Sequence, residues 1–170
     1  LANDFPFDYQ LTAPRGCYLD MGREACVLAA IKNESDYLMF VDTDITFPQD
    51  GIVKLLRCQK DIIGGAYNEK RLPLVSTVKP FAADGESFLE GKWQMPHEPF
   101  KVAAIATGFM AIDMRRLLAV MAPPYFAYSS RRDGDFMGED IAFCIRARKA
   151  GLQVWCDPSI KLGHIGEAEY

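Results

Sequence analysis

The sequence lacks the patterns that mark several common classes of protein. Its 170 residues contain no apolar run near the roughly 20 residues that a membrane-spanning helix needs. A formal net charge of −4 and a pI of 5.2 leave no basic excess, which argues against binding to duplex nucleic acid. There is also no internal repeat. We therefore expect one domain over residues 1–170, with no membrane span and no strong nucleic-acid signal.

The cysteines lack the spacing of a zinc site or a disulfide framework. There are five of them, an odd number, and none forms a Cys-x-x-Cys pair. Cys26, Cys58 and Cys144 stand among apolar residues and are expected to be small core residues. The simplest interpretation is a reducing, cytoplasmic location. No signal peptide is visible, but the chain does not begin with Met, which leaves a lost targeting segment open.

Apolar runs and helical periodicities alternate along the first part of the chain. The patterns predict strands over residues 8–11, 37–41 and 61–67, and helices over residues 23–32 and 49–58. Strands that alternate with helices indicate an α/β fold with parallel pairing.

Prolines and glycines then change the character of the sequence. Residues 68–100 predict a flap or insert of small antiparallel strands, and residues 125–137 predict a loop. Between them, sheet-like segments precede a helix that Asp113 would cap. The remaining predicted elements are strands over 101–106, 109–112 and 152–156, and a helix over 139–150 that ends at Gly151.

The segment Asp42-Thr43-Asp44 closes the apolar strand and is the clearest candidate for chemistry. Because side chains alternate along a strand, both carboxylates are expected to point the same way and to repel each other. A divalent cation is the usual compensation. Alternatively, these aspartates are turn and cap residues, and Thr46 with Gln49 forms a capping box.

Three further positions carry candidate chemistry. Glu139 and Asp140 open a predicted helix, where they either complement the helix dipole or supply a general base. His164, flanked by glycines, is either a surface residue or a metal ligand, and with two carboxylates it would favour Mn²⁺ over Ca²⁺. Gly108 either allows close approach of the backbone to a ligand or marks a bulge. Lys70 lies in a predicted loop, at an expected solvated position.

In this order, these segments resemble the nucleotide-sugar-dependent glycosyltransferases of the A-type fold (GT-A), in particular family-2 enzymes. The resemblance covers roughly residues 15–166 and implies a mixed, mostly parallel sheet flanked by helices, with a small antiparallel flap. Such enzymes usually begin with a strand, helix and strand that grip the nucleotide base. This chain begins at the second strand of that pattern, so the first strand–helix unit is expected to be missing or reduced. The matching segments are Arg23, residues 37–48, 62–67 and 106–112, Gly138-Glu139-Asp140, and Gly163-His164-Ile165-Gly166.

The resemblance also implies how the donor is bound. Asp42, Thr43 and Asp44 match the Asp-x-Asp segment, which contacts the donor ribose and a Mn²⁺ or Mg²⁺ ion on the diphosphate. His164 matches the histidine that often completes the metal shell, so the implied ligands are Asp42, Asp44 and His164. Arg23 matches a helix arginine near the nucleotide. Gly108 lies in the matching segment 106–112, at the position where this loop meets the donor sugar.

The acceptor side of the implied site rests on Asp140 and its neighbour Glu139. In inverting members, the aspartate of the matching pair deprotonates the acceptor hydroxyl. The sequence therefore predicts a metal-dependent transfer of a sugar from a nucleoside-diphosphate donor to a glycan, lipid or other hydroxyl acceptor. A retaining enzyme would need no such base. The alternatives are a nucleotidyltransferase acting on a sugar phosphate and a non-catalytic domain that binds a nucleotide or glycan.

Overall fold

The computed structural model describes residues 5–15, 18–89, 91–130 and 136–166, the last range without the side chain of Phe136. In these ranges the chain forms four helices and nine strands. The helices are α1 (Leu19–Lys32), α2 (Gly51–Arg57), α3 (Met114–Val120) and α4 (Glu139–Lys149). The strands are β1 (Tyr37–Val41), β2 (Ile45–Thr46), β3 (Ile62–Gly65), β4 (Phe100–Lys101), β5 (Phe109–Asp113), β6 (Ser129–Ser130), β7 (Phe136–Met137), β8 (Val154–Asp157) and β9 (Gly163–His164).

Five of the described strands form one mixed sheet in the order β1-β5-β3-β8-β4. β5 pairs antiparallel with both β1 and β3, and β4 pairs antiparallel with β8. The predicted parallel pairing is therefore correct only for β3 and β8, and a mostly parallel sheet is wrong. The reason is that β5 lies between β1 and β3 and runs antiparallel to both. β1 and β3 therefore run in the same direction but do not pair with each other. Their carboxyl ends, and that of β8, share one edge of the sheet.

The core lies on both faces of this sheet because side chains alternate along β5. Met110 and Ile112 face a cluster that includes residues of α1, α3 and α4. Phe109 and Ala111 face a second cluster around Leu55 of α2. Helices therefore cover both faces, which confirms the α/β class.

Several predicted boundaries change in the structure. No strand occurs in the described residues 5–15, so the strand predicted over residues 8–11 is wrong. Thr46 lies in β2 rather than in a capping box, and Asp50 precedes α2. The predicted loop 125–137 contains the short antiparallel pair β6–β7. Asp113 does cap α3, and Gly151 follows α4 with a φ of 98°.

Residues 68–89 contain isolated antiparallel contacts rather than long strands. Asn68 pairs with Ser76, and Phe81 pairs with Phe88, while Lys79 joins this region to Ala104. The region fits the expected antiparallel character, and its role as a flap stays a prediction.

The cysteines differ in burial. Cys144 is fully buried, as expected of a core residue, whereas Cys26 and Cys58 are half-buried. Cys17 lies outside the described residues. None of the helices in the described part of the chain combines the length and the apolar character that crossing a bilayer requires.

Candidate functional site

The Asp42-Thr43-Asp44 segment forms a turn at the carboxyl edge of the sheet. β1 ends at Val41, and the carbonyl of Asp42 accepts a hydrogen bond of 3.1 Å from the Ile45 amide, which closes the turn. The Asp42 amide donates to the carbonyl of Gly108 at 2.9 Å. Strand alternation therefore does not orient the two carboxylates, and that part of the prediction is wrong. Each carboxylate instead contacts a different cation of the chain, while Thr43 is exposed in the turn.

Asp42 is paired with Arg23 of α1. The Arg23 Nη2 atom lies 2.5 Å from Asp42 Oδ1, and only 10% of the arginine side chain is exposed. The Arg23 guanidinium also lies over the Phe40 ring, 5.0 Å from its centroid. The strand and the helix thus hold this carboxylate in a fixed, charge-compensated position.

Asp44 lies between a lysine and a histidine. Lys70 Nζ is 2.6 Å from Asp44 Oδ2, and His164 Nε2 is 3.6 Å from the same oxygen. The hydrogen bond from Lys70 holds the pKa of Asp44 below its usual value. The sequence predicts a solvated position for Lys70; its side chain is 36% exposed, yet it is ion-paired.

His164 reaches Asp44 through the pairing of β2 with β9. Ile45 is the register partner of His164, and the Ile165 amide donates to the Asp44 carbonyl at 2.7 Å. The His164 Nδ1 atom lies 2.9 Å from the Asn68 carbonyl oxygen. Because a carbonyl only accepts, Nδ1 carries a proton and donates it to this bond, which orients the ring with Nε2 towards Asp44. Metal-binding histidines are commonly oriented by such a bond from their other nitrogen.

Tyr67 is a site residue that the sequence interpretation did not single out. Its hydroxyl accepts a hydrogen bond of 3.0 Å from the Gly108 amide, and its ring makes an edge contact with His164. A Cβ at Gly108 would clash with the Tyr67 hydroxyl, so only glycine fits. Burial raises the pKa of Tyr67 well above its usual value, so the hydroxyl stays protonated. The available signal was the position of Tyr67 just after the small residues that end β3.

Glu139 and Asp140 occupy the first turn of α4, as predicted from the sequence. The Ile141 amide donates to Asp140 Oδ1 at 2.7 Å. Burial raises the pKa of both carboxyls; the positive charge of Arg23 partly offsets this effect, and the negative charge of Asp42 adds to it. The start of α4 therefore lies within electrostatic reach of the Arg23–Asp42 pair.

The structure gathers the candidate metal ligands only in part. In the described ranges, no group of three or more His, Cys, Asp or Glu side chains is arranged to hold a metal ion. Asp44 and His164 lie together, whereas Asp42 turns to Arg23, so its role as a third ligand stays a prediction.

Asp44 and His164 nevertheless fit a divalent ion. Bonds of about 2.0–2.2 Å to both atoms would require Asp44 Oδ2 and His164 Nε2 to lie within roughly 4.4 Å of each other. The observed separation is 3.6 Å. One carboxylate oxygen and one imidazole nitrogen suit Mn²⁺, and Mg²⁺ sites commonly take the remaining ligands from water and substrate phosphates.

Comparison with known proteins gives structural neighbours alone. No protein-family model matches the chain, and no curated protein matches it by sequence. The crystal structure of A197 from STIV matches with a TM-score of 0.61 and 20% identity, over 89% of this chain and 70% of that chain. GalNAc-T7, solved with UDP, GalNAc and Mn²⁺, matches with a TM-score of 0.54 and 15% identity. That match covers 87% of this chain and 30% of the GalNAc-T7 chain. The chain is therefore similar in fold to a GT-A glycosyltransferase.

Proposed function

We propose that this chain is a metal-dependent glycosyltransferase that moves a sugar from a nucleoside-diphosphate donor to an acceptor hydroxyl with inversion. The observation that carries the proposal is the grouping of Asp42, Asp44, Asp140 and His164 about one edge of a GT-A-like sheet. The UDP, GalNAc and Mn²⁺ present in GalNAc-T7 support the same classes of ligand.

Asp42 and Asp44 would divide the binding of the donor. Arg23 fixes one oxygen of Asp42, which leaves the other to accept hydrogen bonds from ribose hydroxyls. Asp44 and His164 would hold a Mn²⁺ or Mg²⁺ ion, with Asp42 as a third ligand if it leaves Arg23. Such an ion supplies electrostatic stabilisation of the charge that develops on the leaving diphosphate. Thr43 and Gly108 would contact the donor through the turn and the neighbouring backbone.

Asp140 would act as the general base. The acceptor oxygen forms a bond to the anomeric carbon as the bond from that carbon to the diphosphate oxygen breaks. The acceptor proton passes to Asp140, and the nucleoside diphosphate leaves with the bonding electrons. Its raised pKa makes Asp140 a stronger base than an exposed aspartate. Glu139, buried beside it, would hold the helix start in position.

The first test is a screen of nucleoside-diphosphate sugars by thermal shift, with and without Mn²⁺, followed by assay of nucleoside-diphosphate release. A donor that binds the native state raises its melting temperature by mass action. We expect Asp140→Asn to lower transfer by about 100-fold or more while donor binding persists. Asp44→Asn should weaken Mn²⁺-dependent donor binding.

Asp50→Asn is a matched control, because Asp50 is also an exposed aspartate that pairs with a lysine, Lys54, outside the site. Asp50→Asn should change neither sugar transfer nor Mn²⁺-dependent donor binding. Full transfer activity in Asp140→Asn would refute the base assignment but leave the metal site intact. Release of pyrophosphate instead of nucleoside diphosphate would indicate a nucleotidyltransferase.

A second candidate function is binding without catalysis. It is favoured by the ion pairs of Arg23 with Asp42 and of Lys70 with Asp44, which compensate both carboxylates from within the chain. The two candidates differ in one measurement. A binding protein of this kind would take up nucleoside diphosphate equally well with Mn²⁺ and with a chelator, whereas the proposed enzyme would need the ion.

A further inference from the structure

Lys70 contacts Asp44 at the position where a metal ion would bind. Its ammonium lies 2.6 Å from Asp44 Oδ2, the same oxygen that faces His164 Nε2 at 3.6 Å. A divalent ion bonded to this oxygen would stand within a few ångströms of the ammonium, and two cations that close repel each other strongly. Lys70 and the ion therefore compete for Asp44 Oδ2.

The segment that carries Lys70 also orients the histidine. Asn68, two residues earlier, accepts the Nδ1 proton of His164 through its carbonyl. The backbone of this segment thus prepares the histidine as a ligand, while its lysine occupies the partner carboxylate. The contact of Asn68 with His164 therefore favours the binding of an ion, whereas the contact of Lys70 with Asp44 opposes it.

We propose that Lys70 is a resident counter-cation of Asp44 that yields this carboxylate to the metal ion and transfers to the donor diphosphate. This inference rests on the proposed function and names a specific residue in it. A displaced ammonium needs a new anionic partner, and the diphosphate on the same ion is the nearest one that the proposed reaction supplies. Lys70 would then compete with the ion in the free protein and assist diphosphate binding in the loaded protein.

The test measures binding and needs no transfer activity. Mn²⁺ is titrated into the full chain, and free Mn²⁺ is followed by its electron paramagnetic resonance signal. Removing an exposed ion pair that the metal must displace should tighten Mn²⁺ binding by about two- to fivefold in Lys70→Met. With Mn²⁺ saturating, the affinity for inorganic pyrophosphate, a probe without a nucleotide base, should fall about tenfold in the same variant.

Lys79→Met is a matched control. Lys79 belongs to the same region, its side chain is 34% exposed against 36% for Lys70, and it pairs with Glu69 rather than Asp44. Neither affinity should change in this variant. In an Asp44→Asn background, Lys70→Met should no longer improve Mn²⁺ binding, because the shared carboxylate is gone.

The outcomes separate this proposal from the general one. Equal or weaker Mn²⁺ binding in Lys70→Met, an unchanged pyrophosphate affinity, or no Mn²⁺ binding in either protein would overturn the role of Lys70. A protein that transfers no sugar but shows both opposite shifts would retain it. Conversely, a working transferase in which Lys70→Met changes neither affinity would keep the proposed function without this residue.

Discussion

At the residue scale, Glu139 shows how burial sets the behaviour of one carboxyl. The residue is only 4% exposed, and burial raises its pKa above the ordinary value of 4.5. Its neighbour Asp140 adds a second negative charge that raises the pKa further. The folded protein therefore binds the Glu139 proton more tightly than the unfolded chain does. Ionised Glu139 must then cost stability at neutral pH.

The stability of the Glu139→Gln variant should depend on pH in a defined way. Because the folded pKa is raised, the contribution of Glu139 is fully present below the unfolded pKa and is lost as pH rises through the folded pKa. Glutamine cannot ionise and avoids that loss. We expect the variant to melt a few degrees higher than the natural protein at pH 7–8, with the difference shrinking as pH falls through the raised folded pKa and gone below pH 4.5.

Thermal unfolding at a series of pH values would measure this difference. Glu86→Gln is the control, because the Glu86 side chain is exposed and its replacement relieves no buried charge. A Glu139→Gln variant that is less stable at neutral pH would show that ionised Glu139 has a compensating partner in the folded state.

At the element scale, helix α3 depends on a cap supplied by the end of β5. Asp113 is the last residue of that strand, and its Oδ1 accepts a hydrogen bond of 3.0 Å from the Arg116 amide. The bond satisfies one of the amides that an α-helix leaves free at its start. Strand and helix are thus joined without a loop.

Replacing this cap should destabilise the protein by a measurable amount. Asp113→Ala leaves the Arg116 amide without its acceptor, and we expect a loss of about 1 kcal/mol in the free energy of unfolding. Asp113→Asn retains an acceptor oxygen and should lose less. Urea denaturation of the two variants distinguishes these effects; equal losses would mean that the negative charge of Asp113, not the cap, is what matters.

The elements also show what the sequence could predict. The Asp113 cap and the helix stop at Gly151 follow from local chemistry, and both are confirmed. The antiparallel entry of β5 depends on how residues 68–100 return to the sheet, which no local pattern encodes. The same limit applies to the site. His164 reaches Asp44 through a pairing of two two-residue strands, too short to give a sequence signal.

At the scale of the whole molecule, Glu24 joins parts of the chain that are far apart in sequence. Its Oε2 atom accepts hydrogen bonds from the amides of Tyr125 at 2.8 Å and Phe126 at 2.9 Å. The Phe126 ring stacks on Phe143 of α4 with centroids 4.3 Å apart, and its edge contacts Phe40 of β1. One carboxylate on α1 therefore positions a segment that packs against both a strand and a helix.

Removing the Glu24 carboxylate should weaken this connection. Glu24→Ala leaves two partly buried amides without an acceptor, and we expect a loss of about 2 kcal/mol. Glu24→Gln keeps a carbonyl oxygen in place and should lose less than about half of that. Guanidinium denaturation measures both. A Glu24→Ala variant as stable as the natural protein would mean that water replaces the carboxylate at no cost.

The β2–β9 contact has a consequence for how the protein folds. It joins His164 to the turn after β1, while Arg23 reaches the same turn from α1. A ligand held by these residues would join positions near both ends of the described chain, from Arg23 to His164. Binding would therefore slow hydrogen exchange throughout the cooperative core, not only beside the ligand. Such distant contacts also raise the contact order, so we expect the site to form late and slowly during folding.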